Sequence, residues 1–337
     1  MPVKTFDPYR LDRSLMKAAA AETLVMRKLG FAPYRALLEA ALAEFIGREY
    51  CVLTDSGRTA LRLAALALRP RGGAAAFPDI THPSLAEAAI GCGFRPVPLD
   101  IDPGTLNLSA AALEKAAPRL SLLLLPHMFG TPAPIKEALR LSRRHGFAVI
   151  EDASQIIGGR AGRRYGAFGD IGVFSLSPYK PVSSPFCRAG AVLCDSPAVF
   201  RRVLALEPPA PGPEALPFIR IKLARLKTTM AGVRAANSVY RRELAALKKY
   251  CPPGISGETM EFPLLLPDRD GAEKAFKKSG VPLERAYRPL HLEKNLPGKF
   301  PAADAYWAGA VHLPAWPLIT AAECRRAAAI ARRSVEK

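Results

Sequence analysis

The sequence has no long apolar run. Its longest run of leucine, isoleucine or valine is Leu122–Leu125, far short of the roughly 20 apolar residues that cross a bilayer as a helix. The opening stretch 1–20 mixes Lys, Asp and Arg with alanine and has no compact apolar segment of the secretory kind. Cysteine is sparse and scattered, six residues at 51, 92, 187, 194, 251 and 324, with no Cys-x-x-Cys and no paired histidine spacing. That pattern argues against zinc or any other metal site and for reduced thiols in cytoplasm. Repeats and low-complexity tracts are absent too. With 49% hydrophobic and 23% charged residues among 337, disorder is excluded and a sizeable core is expected. Acids are the scarce charge: 30 against 48 Lys plus Arg, a formal +18. Such a balance favours anionic partners, from nucleic acid to phosphorylated small molecules. The basic pairs Arg143-Arg144, Arg163-Arg164, Arg241-Arg242 and Arg332-Arg333 are nevertheless far apart and lack interleaved aromatics. No nucleic-acid partner is expected.

What is present is alternation. Strand-like runs fall at Tyr50–Thr54, Ala74–Phe77, Pro96–Leu99, Leu120–Leu125, Phe147–Ile150, Ile171–Leu176 and Gly190–Cys194. Helical periods separate most of them, at Thr59–Leu68, Ser84–Gly91, Ser109–Ala116, Ile135–His145 and Ala198–Ala205, with an entry helix at Tyr34–Phe45. Strands alternating with helices predict an α/β fold with a mostly parallel, doubly wound sheet. After an N-terminal segment 1–30, a large α/β domain is expected over 31–206. The breaker cluster that starts at Glu207 then marks a loop or domain edge. Ile219, Leu223, Leu226, Met230 and Val233 recur at helical spacing among basic residues, so 207–239 reads as a Pro-rich loop and one basic amphipathic connecting helix. A smaller α+β domain is expected over 240–337, with a strand at Phe262–Leu266, a helix near Gly271–Ser279 and a closing helix at Ala321–Arg333.

Three groups of residues sit at the C-terminal ends of predicted strands, where open α/β sheets bind ligands. At Thr54-Asp-Ser-Gly-Arg-Thr-Ala60, Gly57 allows close backbone approach, and the amides of Arg58 and Thr59 open a helix suited to an anion. Ordinary capping explains the same pattern. At Ile150-Glu-Asp-Ala-Ser-Gln155 an acid pair ends a buried strand, where Asp152 is either a helix cap or a functional carboxylate. In Gly169 to Lys180, a lysine follows a buried strand with hydroxyls at Ser175 and Ser177. A lone loop lysine is usually only solvated. Anion cradle, acid and lysine on successive strand ends together match the needs of pyridoxal phosphate. Its phosphate takes backbone amides, its ring nitrogen a carboxylate, and its aldehyde an amine.

With these residues in view, the chain resembles the DegT/StrS sugar aminotransferases, pyridoxal-phosphate enzymes of the aspartate-aminotransferase fold (fold type I). The resemblance covers about 30–200 and again 280–330. Ser56-Gly-Arg-Thr-Ala-Leu61 is similar to the family's phosphate turn. Further matches are Thr81-His82, Cys92-Gly-Phe-Arg-Pro-Val97 with Asp100-Ile-Asp102, Pro126-His-Met-Phe-Gly130 and Ile150–Gln155. Phe174-Ser175 through Lys180, Tyr287-Arg-Pro-Leu-His291 and Leu313-Pro-Ala-Trp-Pro317 complete the ordered series.

The resemblance implies roles residue by residue. Lys180 would hold the cofactor covalently and shuttle a proton, with Asp152 on the pyridine nitrogen; these two are the expected catalytic residues. Gln155 would meet the ring hydroxyl and His82 would stack on the ring. Ser175 would bind the phosphate together with the turn of Gly57, Arg58 and Thr59. The implied reaction is transfer of an amino group from an amino acid, glutamate by analogy, to a nucleotide-linked keto sugar, by a cytoplasmic homodimer in which the stripe Ile219, Leu223, Leu226, Met230 and Val233 is expected to form part of the subunit contact. Other pyridoxal-phosphate reactions, a non-sugar carbonyl acceptor, or a non-catalytic partner subunit stay open. Two departures motivate them. The glycine-rich turn usual after the lysine is replaced by Pro181-Val-Ser-Ser-Pro-Phe-Cys-Arg-Ala-Gly190. No Asn-Tyr-Arg-Met segment, source of a phosphate contact from the partner subunit, is recognisable. Arg58, where threonine is common, is expected to offset that lost contact.

Overall fold

The computed structural model describes residues 12–68, 72–284 and 286–335; the first eleven residues of the expected N-terminal segment lie outside that set. Strands of the main sheet are β1 (Tyr50–Thr54), β2 (Ala74–Pro78), β3 (Arg95–Leu99), β4 (Leu120–Pro126) and β5 (Ala148–Asp152). A short hairpin, β6 (Arg160–Ala161) and β7 (Arg163–Arg164), precedes β8 (Ile171–Ser175) and β9 (Gly190–Cys194). The seven strands run β1-β9-β8-β5-β4-β2-β3 across the sheet. Helices α1 (Arg13–Leu29), α2 (Phe31–Ile46), α3 (Gly57–Leu68), α4 (Ser84–Gly91), α5 (Ala110–Ala116), α6 (Ile135–His145) and α7 (Pro197–Leu204) cover it.

Strand β4 shows why the sheet is covered on both faces. Alternate side chains point to opposite sides. Leu123 and Leu125 pack with Leu38 and Leu42 of α2 and Leu141 of α6, whereas Leu122 and Leu124 pack with Leu61 of α3 and Leu85 of α4. All four leucines are fully buried, each contributing about 1.5–3 kcal/mol. The pairings β2–β3, β2–β4, β4–β5 and β5–β8 are parallel, as expected. Strand β9 is antiparallel to both β8 and β1. A parallel return would need a crossover element, and the β8–β9 connection contains no helix or strand. That connection carries Lys180.

The expected single connecting helix is two, α8 (Ala215–Ala224) and α9 (Leu226–Glu243), separated at Arg225, whose φ of −96° and ψ of 9° leave the helical region. The break turns both apolar faces onto the same core. Ile219, Leu226, Met230 and Val233 are buried there and Leu223 packs against them, so this stripe cannot be the subunit contact. Beyond α9, β10 (Glu261–Leu265), α10 (Arg269–Lys278), α11 (Leu290–Glu293), α12 (Pro301–Gly309), β11 (Ala310–Pro314) and α13 (Ala321–Val335) follow. Strands β10 and β11 pair antiparallel, and Phe262, Leu264, Val311 and Leu313 form a separate core with Phe276 and Ile330. The Pro-rich loop docks on the main sheet, where the Asp55 amide donates to the Pro209 carbonyl at 2.9 Å. Among the described residues no helix is long and apolar enough to cross a membrane.

Candidate active site

Strand β1 hands over to α3 through Ser56 and Gly57. Ser56 Oγ accepts the Thr59 amide at 3.2 Å and the Ser56 carbonyl accepts the Ala60 amide at 3.0 Å. The amides of Gly57 and Arg58 have no acceptor among the described residues, which leaves the first turn of α3 open to an anion. A Cβ at Gly57 would stand 2.8 Å from Ser175 Cβ, and one at Gly190 would stand 2.4 Å from the Ser56 carbonyl oxygen. Glycine at both positions lets the turn lie directly on the ends of β8 and β9. Ser175 is thereby set against Gly57, and its own amide donates to Ser154 Oγ at 2.7 Å.

The two acids that end β5 divide their work by the alternation of the strand. Glu151 is fully buried. Its Oε1 takes the Gly166 amide at 2.7 Å and lies 3.0 Å from His127 Nε2, while Oε2 takes the amides of Phe168 and Gly169 at 2.7 and 3.1 Å. Burial pushes its pKa up, but His127 and these amides outweigh that and hold it below the usual value. Asp152 points the other way. Its Oδ1 accepts the Ser154 amide at 3.0 Å in a turn, not at a helix start. The helix-cap reading therefore has no helix to cap.

Lys180 follows Tyr179, whose φ of +74° is uncommon for a residue with a side chain. The reversal is pinned by the Lys180 amide, which donates to the Ser177 carbonyl at 3.2 Å, and by Ser183 Oγ, which donates to the Lys180 carbonyl at 2.8 Å.

These segments meet around one cavity of about 270 Å³, which Gly57, Arg58, His82, Asp152, Gln155, Ser175 and Lys180 all line. Thr59 is not in the lining, and its hydroxyl sits 2.9 Å from Ser56 Oγ. His82 Nδ1 accepts the Ser84 amide at 3.2 Å. Partial burial and the Lys180 charge lower its pKa, Asp152 opposes, and Arg58 adds to the lowering. Gln155 Oε1 accepts the Phe129 amide at 2.7 Å and its Nε2 donates to Tyr287 Oη at 3.0 Å. Tyr287 is held there because His291 latches onto Asp79, its amide 2.8 Å from Oδ1 and its Nδ1 2.6 Å from Oδ2. Arg58 turns its guanidinium toward Glu87, Nε to Oε2 3.4 Å, with 61% of the side chain exposed.

A profile of the DegT/DnrJ/EryC1/StrS aminotransferase family matches residues 12–210. The chain belongs to this family. It is 36% identical over 166 residues to an L-glutamine:2-deoxy-scyllo-inosose aminotransferase of Micromonospora echinospora, a match covering 48% of this chain and 39% of that protein. Against GDP-perosamine synthase of Caulobacter vibrioides the identity is 34% over 150 residues, covering 43% and 40%. The chain thus spans about two-fifths of the length of those two relatives. A longer match, 28% over 328 residues and 88% of each chain, is to a UDP-N-acetyl-3-dehydro-alpha-D-glucosamine 3-aminotransferase of Acidithiobacillus ferrooxidans. Among solved structures, S. venezuelae DesV in complex with a ketimine intermediate superposes with a TM-score of 0.89 at 26% identity, over 98% of each chain. A DegT DnrJ EryC1 StrS aminotransferase from Brucella abortus superposes at 0.83 with 24% identity, over 96% of this chain and 97% of that one. The fold is that of the family, an α/β architecture with a mostly parallel seven-stranded sheet.

Around Lys180, three residues escaped sequence reasoning. Arg188 lines the same cavity from the far end of the lysine loop and has no acid within ion-pair distance among the described residues. Its signal was present, as the one cation in the segment that replaces the glycine-rich turn. Glu261 and Glu284 line a small recess of about 50 Å³ that also touches Lys180 and Gln155. Burial, then the Glu261 charge, push the Glu284 pKa up to about 7. No local pattern marks these acids, because β10 and the segment before Tyr287 are brought to Lys180 only by the tertiary fold.

Proposed function

We propose that the chain is a pyridoxal-phosphate-dependent aminotransferase that passes an amino group from an amino acid, glutamate by family analogy, to a keto sugar, with a nucleotide-linked sugar as the expected acceptor. One observation carries the reading: an unpaired pair of helix-start amides, a carboxylate and a lysine line a single cavity at the strand ends. These residues fit the cofactor. With no Cβ at Gly57 the turn lies against Ser175, so its open amides and the Ser175 hydroxyl stand together. When bound, pyridoxal phosphate supplies an electron sink for the carbon that gains or loses the amine.

The protein's own groups then have distinct tasks. The amides of Gly57 and Arg58 and the hydroxyl of Ser175 take the phosphate, with the α3 dipole favouring the negative charge. Asp152 offers a carboxylate that keeps a ring nitrogen protonated, and the Ser154 amide fixes its orientation. Lys180 Nζ supplies the amine and carries the proton. His82 covers one face of the ring, and Gln155, oriented by Phe129 and Tyr287, meets its hydroxyl.

Titration of apo protein with pyridoxal phosphate should produce a visible absorbance band, which L-glutamate or L-glutamine should bleach. No binding, or binding with no response to any amino donor, contradicts the reading and favours a non-catalytic partner subunit. We also take the chain to be a cytoplasmic homodimer with a large domain over 31–206 and a small one over 240–337. The apolar side chains exposed on α1 and α2, Leu24, Leu29, Phe31 and Leu37, support a subunit contact there.

A further inference from the structure

A second, larger cavity of about 420 Å³ is also lined by Lys180. Leu15, Met260, Trp316 and Ile319 give it apolar walls, and Lys222 of α8 reaches into it. Lys222 Nζ donates to Ser183 Oγ at 2.9 Å, and the Ser183 hydroxyl in turn donates a hydrogen bond to the Lys180 carbonyl at 2.8 Å. An ammonium has three donors; among the described residues this one has a single hydroxyl partner and no carboxylate within ion-pair distance. Asp12, the acid at the rim, is already engaged: its carboxylate accepts the Ser14 amide at 2.9 Å and the Ser14 hydroxyl at 2.6 Å, and Arg225 donates to that hydroxyl at 3.0 Å. A half-buried cation without a counter-ion is costly, and burial alone pushes the Lys222 pKa down to about 8.

The adjoining recess has the opposite sign. Glu261 and Glu284 lie beside Lys180, and one oxygen of Glu261 is buried without a hydrogen bond, 3.5 Å from His312 Nδ1. The negative charge this pair shares repels an anion, and its oxygens suit hydroxyl donors. An anionic group entering near Lys180 is therefore turned away from the recess and toward Lys222.

We propose that the cavity is the seat of an organic anion, in which Lys222 Nζ is the counter-ion for a carboxylate or phosphoryl group carried by the acceptor substrate on an apolar or ring-shaped body. This rests on the aminotransferase reading above and adds where the acceptor's charge goes. The ion pair would gain from the low dielectric of apolar walls. It also gives the basic surface of the chain a local counterpart at the site.

Calorimetry on the cofactor-loaded protein tests it with two matched pairs of probes, UDP against uridine and D-glucuronate against D-glucose. At least one anion should bind more tightly than its neutral counterpart, and the pair concerned tells a phosphoryl group from a carboxylate. Lys222→Met should weaken that anion by roughly 10- to 150-fold and leave the neutral probe unchanged. Lys222→Arg should restore most of the affinity, which a merely misfolded variant would not. Equal binding of both members of each pair, or an anion affinity untouched by Lys222→Met, overturns the proposal. So does a Lys222→Met variant whose only change is weaker self-association, since the counter-ion would then be a second copy of the chain. Bleaching of the parent by L-glutamate reports on the aminotransferase reading separately, so the two can fail independently.

Discussion

Asp152 and Arg188 are the residues at which the site's chemistry can be separated from its architecture. Asp152 Oδ1 accepts one amide, which an asparagine oxygen can also accept. Asp152→Asn should therefore leave the melting temperature nearly unchanged. The charge-assisted bond to a ring nitrogen would be lost, so bleaching by L-glutamate should slow on the order of a hundredfold or more. Near-normal bleaching in stopped-flow would reduce the acid to a turn-former. The phosphate end poses a choice between two arginines. Arg58 is mostly exposed and faces Glu87, so exchanging it for threonine should change pyridoxal-phosphate affinity less than about threefold. Arg188 lines the cavity and makes no ion pair among the described residues, and Arg188→Ala should weaken that affinity by roughly 10- to 150-fold. Pyridoxal, which lacks the phosphate, should bind both variants like the parent; the reverse ranking of the arginines would restore the role expected for Arg58.

At the scale of elements, the end of β5 is a clamp. Glu151 gathers the turn Gly166–Gly169 and His127 into the core, and that turn leads into β8. Its pKa is held below the ordinary value of about 4.3. A carboxylate of this kind contributes stability above its unfolded pKa, and the contribution is lost as pH falls through the lower folded value. The parent should lose melting temperature below about pH 4. Glu151→Gln should cost about 3–5 kcal/mol at neutral pH and show a flatter acid limb; an unchanged limb in denaturation curves would contradict this. The elements were legible to different degrees. Strands β1 and β9 are found at their expected limits and helices α4 and α6 likewise, since each is bounded by clear polar or glycine punctuation. The anion turn, Asp152 and Lys180 were legible because each follows a buried strand. Strand β11 was not, because Ala310–Pro314 is stable only through its pairing with β10. Helix α1 went unnoticed because alanine fills most of its middle. The break at Arg225 left no local mark either, as the apolar spacing runs straight through it.

At the scale of the molecule, the stripe first expected to join two subunits is buried within the chain, whereas α1 and α2 carry exposed apolar side chains. A dimer built there should dissociate when Leu29 and Leu37 are both replaced by Glu, with sedimentation velocity as the readout. A variant that remains dimeric would move the contact elsewhere.

In the proposed cofactor site three strand ends meet around Lys180. Incubation with pyridoxal phosphate, reduction with borohydride and peptide mass mapping test it most directly, because reduction fixes the cofactor to the amine that holds it. Two lysines compete on structural grounds: Lys180 lines both large cavities, and Lys222 lines the second with a pKa of about 8. The mass of the reduced cofactor should appear on the peptide that contains Lys180 and on no other. Label on Lys222, or no label at all, would contradict the account.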